Sequence, residues 1–372
     1  MSVIRFLPRA ELQHLLNCLE RAGYRCIGPR VRDGAIVFDE LSHVDELPRG
    51  VGDEQAPGRY RLESGDSKRL FAWANGPQAI KPQLFAPRET LWRAERGESG
   101  QIEFKEVVAE PAPVAIIGAR PCDVAALAIQ DRVFLGDRYR DPLYGRRREG
   151  LFVVAVNCSH PSQSCFCHST GTGPGVDPSR HEHVDLLLTE LEHGYLISAG
   201  SEAGQEVFDC LPLAEAVDQQ FYEAGQQRLA AERAQTRSLP EGDIAKRLMA
   251  NLDHPRWQEV AERCLACGNC TMVCPTCFCH REGDEPALDG GTTEHVRQWD
   301  SCFTQGHSAI HGFVLRQETA QRYRQWLSHK LASWHEQFGS SGCVGCGRCL
   351  TWCPSAIDMT EEAAAICGGG DE

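Results

Sequence analysis

The spacing C-x2-C-x2-C-x3-C-P occurs twice in this chain, as CLACGNCTMVCP over residues 264–275 and CVGCGRCLTWCP over residues 343–354. Three thiolates two residues apart wrap three irons of a cubane, and a fourth, carried onward by a short turn, points toward a neighbouring cubane. The repeat therefore predicts two [4Fe–4S] clusters with crosswise ligands: Cys264, Cys267, Cys270 and Cys353 for one, Cys343, Cys346, Cys349 and Cys274 for the other. Gly268, Gly345 and Gly347 let backbone N–H groups approach the sulfurs, and Pro275 and Pro354 redirect the chain after the last ligand. Structural zinc also uses C-x2-C pairs, but a tetrahedral site is complete with four ligands and leaves the further cysteines of each run without purpose. A thioredoxin-type motif is a single pair and fits less well still.

The chain has 372 residues, of which 19 are cysteine. A chain this long does not need disulfides to compensate for a small core, so metal or redox chemistry is the first explanation for its thiols. The N-terminus MSVIRFLPRAELQ has no basic stretch followed by an apolar run and a cleavage site. The longest apolar stretches, around Val114–Ala119 and Leu151–Val156, are far shorter than the ~20 residues that cross a bilayer. These features lead to the expectation of a cytoplasmic protein with reduced thiols and no membrane segment. A net charge of −14, from 38 basic and 52 acidic residues, repels a phosphate backbone and argues against nucleic acid as a partner.

The expected fold class is α+β: a mixed α/β N-terminal domain over residues 1–200, a helical connector over 201–263, and a two-cluster ferredoxin-like domain over 264–354, split by a helical insert at 275–342, with a tail at 355–372. The first residues are expected to be helical, with Pro8 near the start and Leu12, Leu15, Leu16 and Leu19 at helical spacing before Gly23, and the Arg32-Asp33-Gly34 turn separates two short strands. The Gly- and Pro-rich segment 48–65 is expected to be loop. Val114–Gly118 and Leu151–Val156 predict buried strands, Asp123 caps a helix running to Phe134, and Val184–Leu191 pairs with Tyr195–Ser198 about Glu192-His193-Gly194. The connector breaks and restarts at Leu239-Pro240-Glu241-Gly242. In the insert, Tyr323, Leu327, Leu331, Trp334 and Phe338 mark a packing helix closed by Gly339. Its Arg322, Arg324 and Lys330 either offset cluster charge or form a solvated face. The tail closes with Gly368-Gly369-Gly370, expected to fray.

Further cysteines gather at strand ends and loops, where ligands belong. Cys122 follows one strand in Arg120-Pro121-Cys122-Asp123, and Cys158 follows another and leads to Cys165-Phe166-Cys167. Because all four fall in one domain, Cys122, Cys158, Cys165 and Cys167 are candidate ligands for a third [4Fe–4S] cluster, with Cys277, Cys279 and Cys302 as rivals and buried unligated thiols as the alternative. Cys18, Cys26, Cys210 and Cys367 stand isolated and are given no role. His168, His181 and His183 are read as satisfied or solvated side chains, and Gly171-Thr172-Gly173-Pro174-Gly175 as a tight turn behind Cys167, since it lacks the strand–turn–helix context of a nucleotide loop. No nucleophilic triad or nickel-binding pair is found, so no catalytic residue is assigned.

With these residues in view, the chain resembles the β subunit of cytoplasmic NAD(P)-linked [NiFe] hydrogenases, the sulfhydrogenases, and their relative, the A subunit of anaerobic sulfite reductase. The resemblance rests on KPQLFAPRETLW at 81–92, GARPCDVAALAIQDRVFL at 118–135, VNCSHPSQSCFCHSTGTGP at 156–174, CLACGNCTMVCPTCFC at 264–279, WDSCF at 299–303 and CVGCGRCLTWCP at 343–354. It implies an iron–sulfur relay subunit between a flavin-containing NAD(P)H-oxidising subunit and the small and large subunits of a [NiFe] hydrogenase. It also implies that Cys158, Cys165, Cys167 and the Arg120–Asp123 turn act jointly. The alternatives are the electron-transfer A subunit of anaerobic sulfite reductase, or a subunit with its own sulfur- or disulfide-reducing site built on the extra cysteines.

Overall fold

The computed structural model describes residues 3–78, 80–97, 99–107, 111–136 and 138–368; Gly369 and Gly370 of the tail, and the side chain of His181, lie outside the described residues. The apolar runs Val114–Ala119 and Leu151–Val156 become adjacent parallel strands in the middle of an eight-stranded sheet. Both are buried on both faces, which is why they read as continuous hydrophobic stretches. The sheet runs in the order Ala214–Glu215, Ile4–Pro8, Gly194–Ala199, Leu186–Glu190, Leu151–Val156, Val114–Ala119, Arg25–Arg32, Ala35–Glu40. Its four central strands are parallel and its edges antiparallel.

One apolar layer packs on each face. The helix Leu12–Arg21 buries Leu12, Leu15, Leu16 and Leu19 against one side, together with Phe71 and Trp73. The helix Pro121–Phe134 covers the other with Val124, Leu127 and Phe134. Asp123 sits in the first turn of this helix, not at its cap, and its carboxylate accepts from Arg120 N–H at 3.2 Å. The connector forms the helices Glu202–Asp209, Asp218–Arg233, Ile244–Ala250 and Arg256–Arg263, with the break where Pro240 requires it.

Three expectations are corrected. Residues 48–65 are not loop: Val51–Ala56 and Arg59–Ser64 pair as a hairpin around Pro57-Gly58, and Tyr60 stacks on Trp352 with ring centroids 5.1 Å apart. The chain does not begin with a helix, since Ile4–Pro8 is a sheet strand. The insert is only partly helical. Its strands His280–Pro286 and Thr292–Trp299 join Arg88–Arg96 and Ile102–Glu106 in a four-stranded antiparallel sheet, so the insert and the N-terminal region share a structural layer. The expected helix of the insert runs Thr319–Ser328, widens by one π turn at His329–Ser333, and continues Trp334–Phe338 to the left-handed Gly339. No helix among the described residues is long and apolar enough to cross a membrane.

Candidate iron–sulfur sites

Each half-motif folds as a tight loop leading into a single helical turn, Asn269–Met272 in the first and Arg348–Thr351 in the second. Ala266, Gly268, Gly345 and Gly347 take left-handed backbone, which turns N–H groups inward. Ala266 N–H then donates to Cys264 Sγ, Gly345 N–H to Cys343 Sγ and Ile357 N–H to Cys353 Sγ, each at 3.4 Å. Cys264, Cys267, Cys270 and Cys353 face one cavity, closed by Phe303, Tyr323 and Trp326. Cys274 leaves its own motif and stands with Cys343, Cys346 and Cys349, close enough that these thiols oppose one another's ionisation.

Lys330 was one of three basic candidates on the insert helix, and the structure separates them. Its Nζ is 3.3 Å from Cys274 Sγ and 3.1 Å from Thr276 Oγ1, and the residue is 5% exposed. Burial opposes its charge, but the Cys274, Cys277 and Cys343 thiolates outweigh this and hold the ammonium protonated above its ordinary range. Arg322 and Arg324 instead bond backbone carbonyls, those of Phe303 and Leu252 at 2.8 and 2.6 Å. Lys81, which sequence spacing gave no reason to single out, is also buried; its Nζ reaches Met272 O at 3.3 Å and lies 3.8 Å above the Trp299 ring.

The structure also brings Cys122, Cys158, Cys165 and Cys167 together. Two of them follow the carboxyl ends of the adjacent strands Val114–Ala119 and Leu151–Val156, the edge where parallel sheets present functional loops. Cys165 and Cys167 come from a turn clamped to the second ferredoxin loop: Phe166 N–H donates to Gly345 O at 2.8 Å, and Thr172 Oγ1 to Val344 O at 2.7 Å. The Gly171–Gly175 segment is the expected turn behind Cys167, with Thr172 N–H on Cys167 O at 3.0 Å. Cys122 and Cys167 share one apolar cluster with Cys346.

Two buried guanidinium groups flank this group. Arg120 donates to Phe71 O and Trp73 O at 2.8 and 2.6 Å and lies 4.0 Å over the Trp73 ring. Arg348, 1% exposed, pairs with Asp123 at 2.8 Å and donates to Asn75 Oδ1 at 3.1 Å, while Asn75 Nδ2 lies 3.2 Å from Cys122 Sγ. Burial pushes all four thiols upward, Cys165 to about 12; neighbouring thiols add to this at Cys122, Cys165 and Cys167, whereas Arg120 at Cys158 and Arg348 at Cys122 pull the other way. Four desolvated thiols beside two fixed cations are side chains of the type that ligate iron–sulfur cores.

The rival cysteines lie elsewhere. Cys277 contacts Cys274, whereas Cys279 contacts Cys302 and the His307 ring. The Cys302 contact, with help from His307 and Lys330, outweighs burial and pulls the Cys279 thiol down to about 4. Cys18 and Cys210, read as isolated, are joined in a disulfide across 192 residues, a pairing that no local spacing announces. Cys26 and Cys367 are buried free thiols. His183 lies beside Asp131 and Arg148 at 3.5 and 3.2 Å, a satisfied side chain as expected.

Cysteines so placed, with inward N–H donors and buried cations, define an iron–sulfur electron-transfer protein. A family model described as a 4Fe–4S dicluster domain matches residues 263–357. The chain is similar to sulfhydrogenase 2 subunit beta of Pyrococcus furiosus, 29% identical over 328 residues that cover 86% of this chain and 92% of that protein. This similarity bears out the resemblance to hydrogenase β subunits drawn from the motifs. No solved structure matches the chain.

Proposed function

We propose that this chain is the relay subunit of a hydrogenase complex, passing single electrons between a flavin-containing NAD(P)H-oxidising subunit and the small and large subunits of a [NiFe] hydrogenase. Cys264, Cys267, Cys270 and Cys353 would hold one [4Fe–4S] cluster, Cys274, Cys343, Cys346 and Cys349 a second, and Cys122, Cys158, Cys165 and Cys167 a third. When bound, each cluster exchanges one electron at a time. The residues around them set the ease of that exchange: N–H donors on Cys264, Cys343 and Cys353, the Lys330 ammonium on Cys274, and the guanidinium groups of Arg120 and Arg348 all favour added negative charge. Tyr323, Trp326 and Phe303 supply the aromatic wall of the first cavity.

The observation that carries this reading is continuity. Cys346 shares its apolar cluster with Cys122 and Cys167, and Cys349 lines the cavity of Cys264, Cys267, Cys270 and Cys353, so the three cysteine groups form one row. Affinity purification of the tagged chain from its native host tests the partners. Recovery with a nickel-containing subunit and a flavoprotein is expected; recovery only with a sirohaem sulfite reductase would give the chain the role of that enzyme's electron-transfer subunit instead.

A further inference from the structure

The connector helix Asp218–Arg233 turns its polar side inward and an apolar stripe outward. Of its sixteen residues only Ala231 is buried. Polar bonds hold its inner face to the body of the chain: Gln227 Oε1 accepts from Arg69 Nη1 at 2.7 Å, and Glu223 Oε1 accepts from Glu192 N–H at 3.1 Å. Its outer face carries Asp218, Tyr222, Gly225, Leu229 and Arg233, all exposed, at the spacing of three and four that draws one stripe along an α-helix. Phe221 flanks the stripe, and Phe221, Tyr222 and Leu229 are 42%, 64% and 37% exposed. Gly225, in the middle, weakens a helix interior, yet a Cβ there would meet nothing within 4 Å. The chain's own packing does not require this glycine, whereas a second helix crossing at that point would. Asp218 and Arg233, at opposite ends of the stripe, have no ion-pair partner among the described residues.

We propose that this stripe pairs with the same stripe of a second copy of the chain, antiparallel about a two-fold axis beside Gly225. In that register Tyr222 of each copy meets Leu229 of the other, the two Gly225 residues sit at the crossing, and Asp218 meets Arg233 at both ends. A parallel pair would set Asp218 on Asp218 and Arg233 on Arg233, with repulsion at each end. Charge complementarity selects a second copy as the occupant, because the stripe itself supplies both the acidic end and the basic end that its partner needs. A helix pair about 24 Å long covers less than the roughly 1,200 Å² of a stable complex, so a dissociation constant on the order of micromolar is expected. The inner side of the same helix closes the cleft lined by Cys158, through Ala224 and Arg228, so the pairing lays the Cys158 group beneath the interface. The contact uses no cysteine and stands whether or not the chain relays electrons.

The test is sedimentation velocity on the full chain, purified anaerobically, over a series of concentrations. A reversible monomer–dimer equilibrium that weakens with added salt is expected. Asp218→Arg and Arg233→Asp should each raise the dissociation constant about tenfold, because the two-fold axis turns one reversal into two like-charge contacts. The double variant, which exchanges the charges, should bring it back to within about threefold of the unaltered chain. Gly225→Leu should abolish the pairing, with iron content kept and the thermal unfolding of the monomer no lower. A monomer at every soluble concentration, a dimer indifferent to the single reversals, or a double variant no tighter than the singles would each overturn the proposal; the last result would give the stripe to a different subunit, whose charges the exchange does not follow.

Discussion

Lys330 Nζ stands 3.3 Å from Cys274 Sγ, the cysteine that leaves its own motif to join the other three. A fixed positive charge at this distance favours the more negative, reduced state of whatever Cys274 ligates. Lys330→Met is expected to lower the midpoint potential of one cluster by on the order of 100 mV, taking a loss of about 2 kcal/mol for one electron. Lys330→Arg should recover most of the shift. A redox titration followed by electron paramagnetic resonance reads this directly, and an unmoved potential would place the Lys330 charge outside the cluster's field.

Gly347 has φ of 76°, and a Cβ there would lie 2.5 Å from Ser164 O. Its neighbour Gly345 is equally constrained, with Cys167 N 2.6 Å from the same position. Gly347→Ala combines left-handed strain with backbone overlap and is expected to cost on the order of 3 kcal/mol. Because the obstructing backbone is that of Ser164, next to Cys165, the variant should disturb both the Cys343–Cys349 loop and the Cys122 group. Thermal unfolding and iron content together check this.

Burial, with a lesser push from Glu20, raises the Cys26 thiol to about 12. An unfolded cysteine ionises near ~8.5, so the folded chain binds more protons between these values. By linkage this contribution to stability is full at neutral pH and falls as pH rises above about 8.5. Cys26→Ala should flatten the alkaline limb of a stability–pH curve, and native Cys26 should resist alkylation at pH 8.

The cysteine groups were legible to different depths for physical reasons. The ferredoxin ligands carry their geometry in a short spacing. Cys122 and Cys158 were legible as candidates because each follows a recognisable buried strand, but their meeting with Cys165 and Cys167 depends on sheet order, which spacing does not encode. The buried residues beside these cysteines were less accessible. Asn75, Arg348 and Lys81 act singly, and nothing in a lone buried cation's sequence context distinguishes it from a solvated one. Lys330 lay on a noticed helix, yet only packing separates it from Arg322 and Arg324. The two missed hairpins did leave signals: Pro57-Gly58 and Gly290-Gly291 are turn dipeptides between strand-length segments. In the first, Gly and Pro elsewhere in the segment hid the alternation; in the second, the partner strand Arg88–Arg96 lies far off in sequence.

The central claim is a row of three clusters in one chain, and iron with acid-labile sulfide counted on the anaerobically purified full chain tests it most directly. The account predicts about twelve of each, falling to about eight in Cys165→Ala with the ferredoxin-type signals retained. About eight of each in the unaltered chain, with both ferredoxin sites fully occupied, would contradict it.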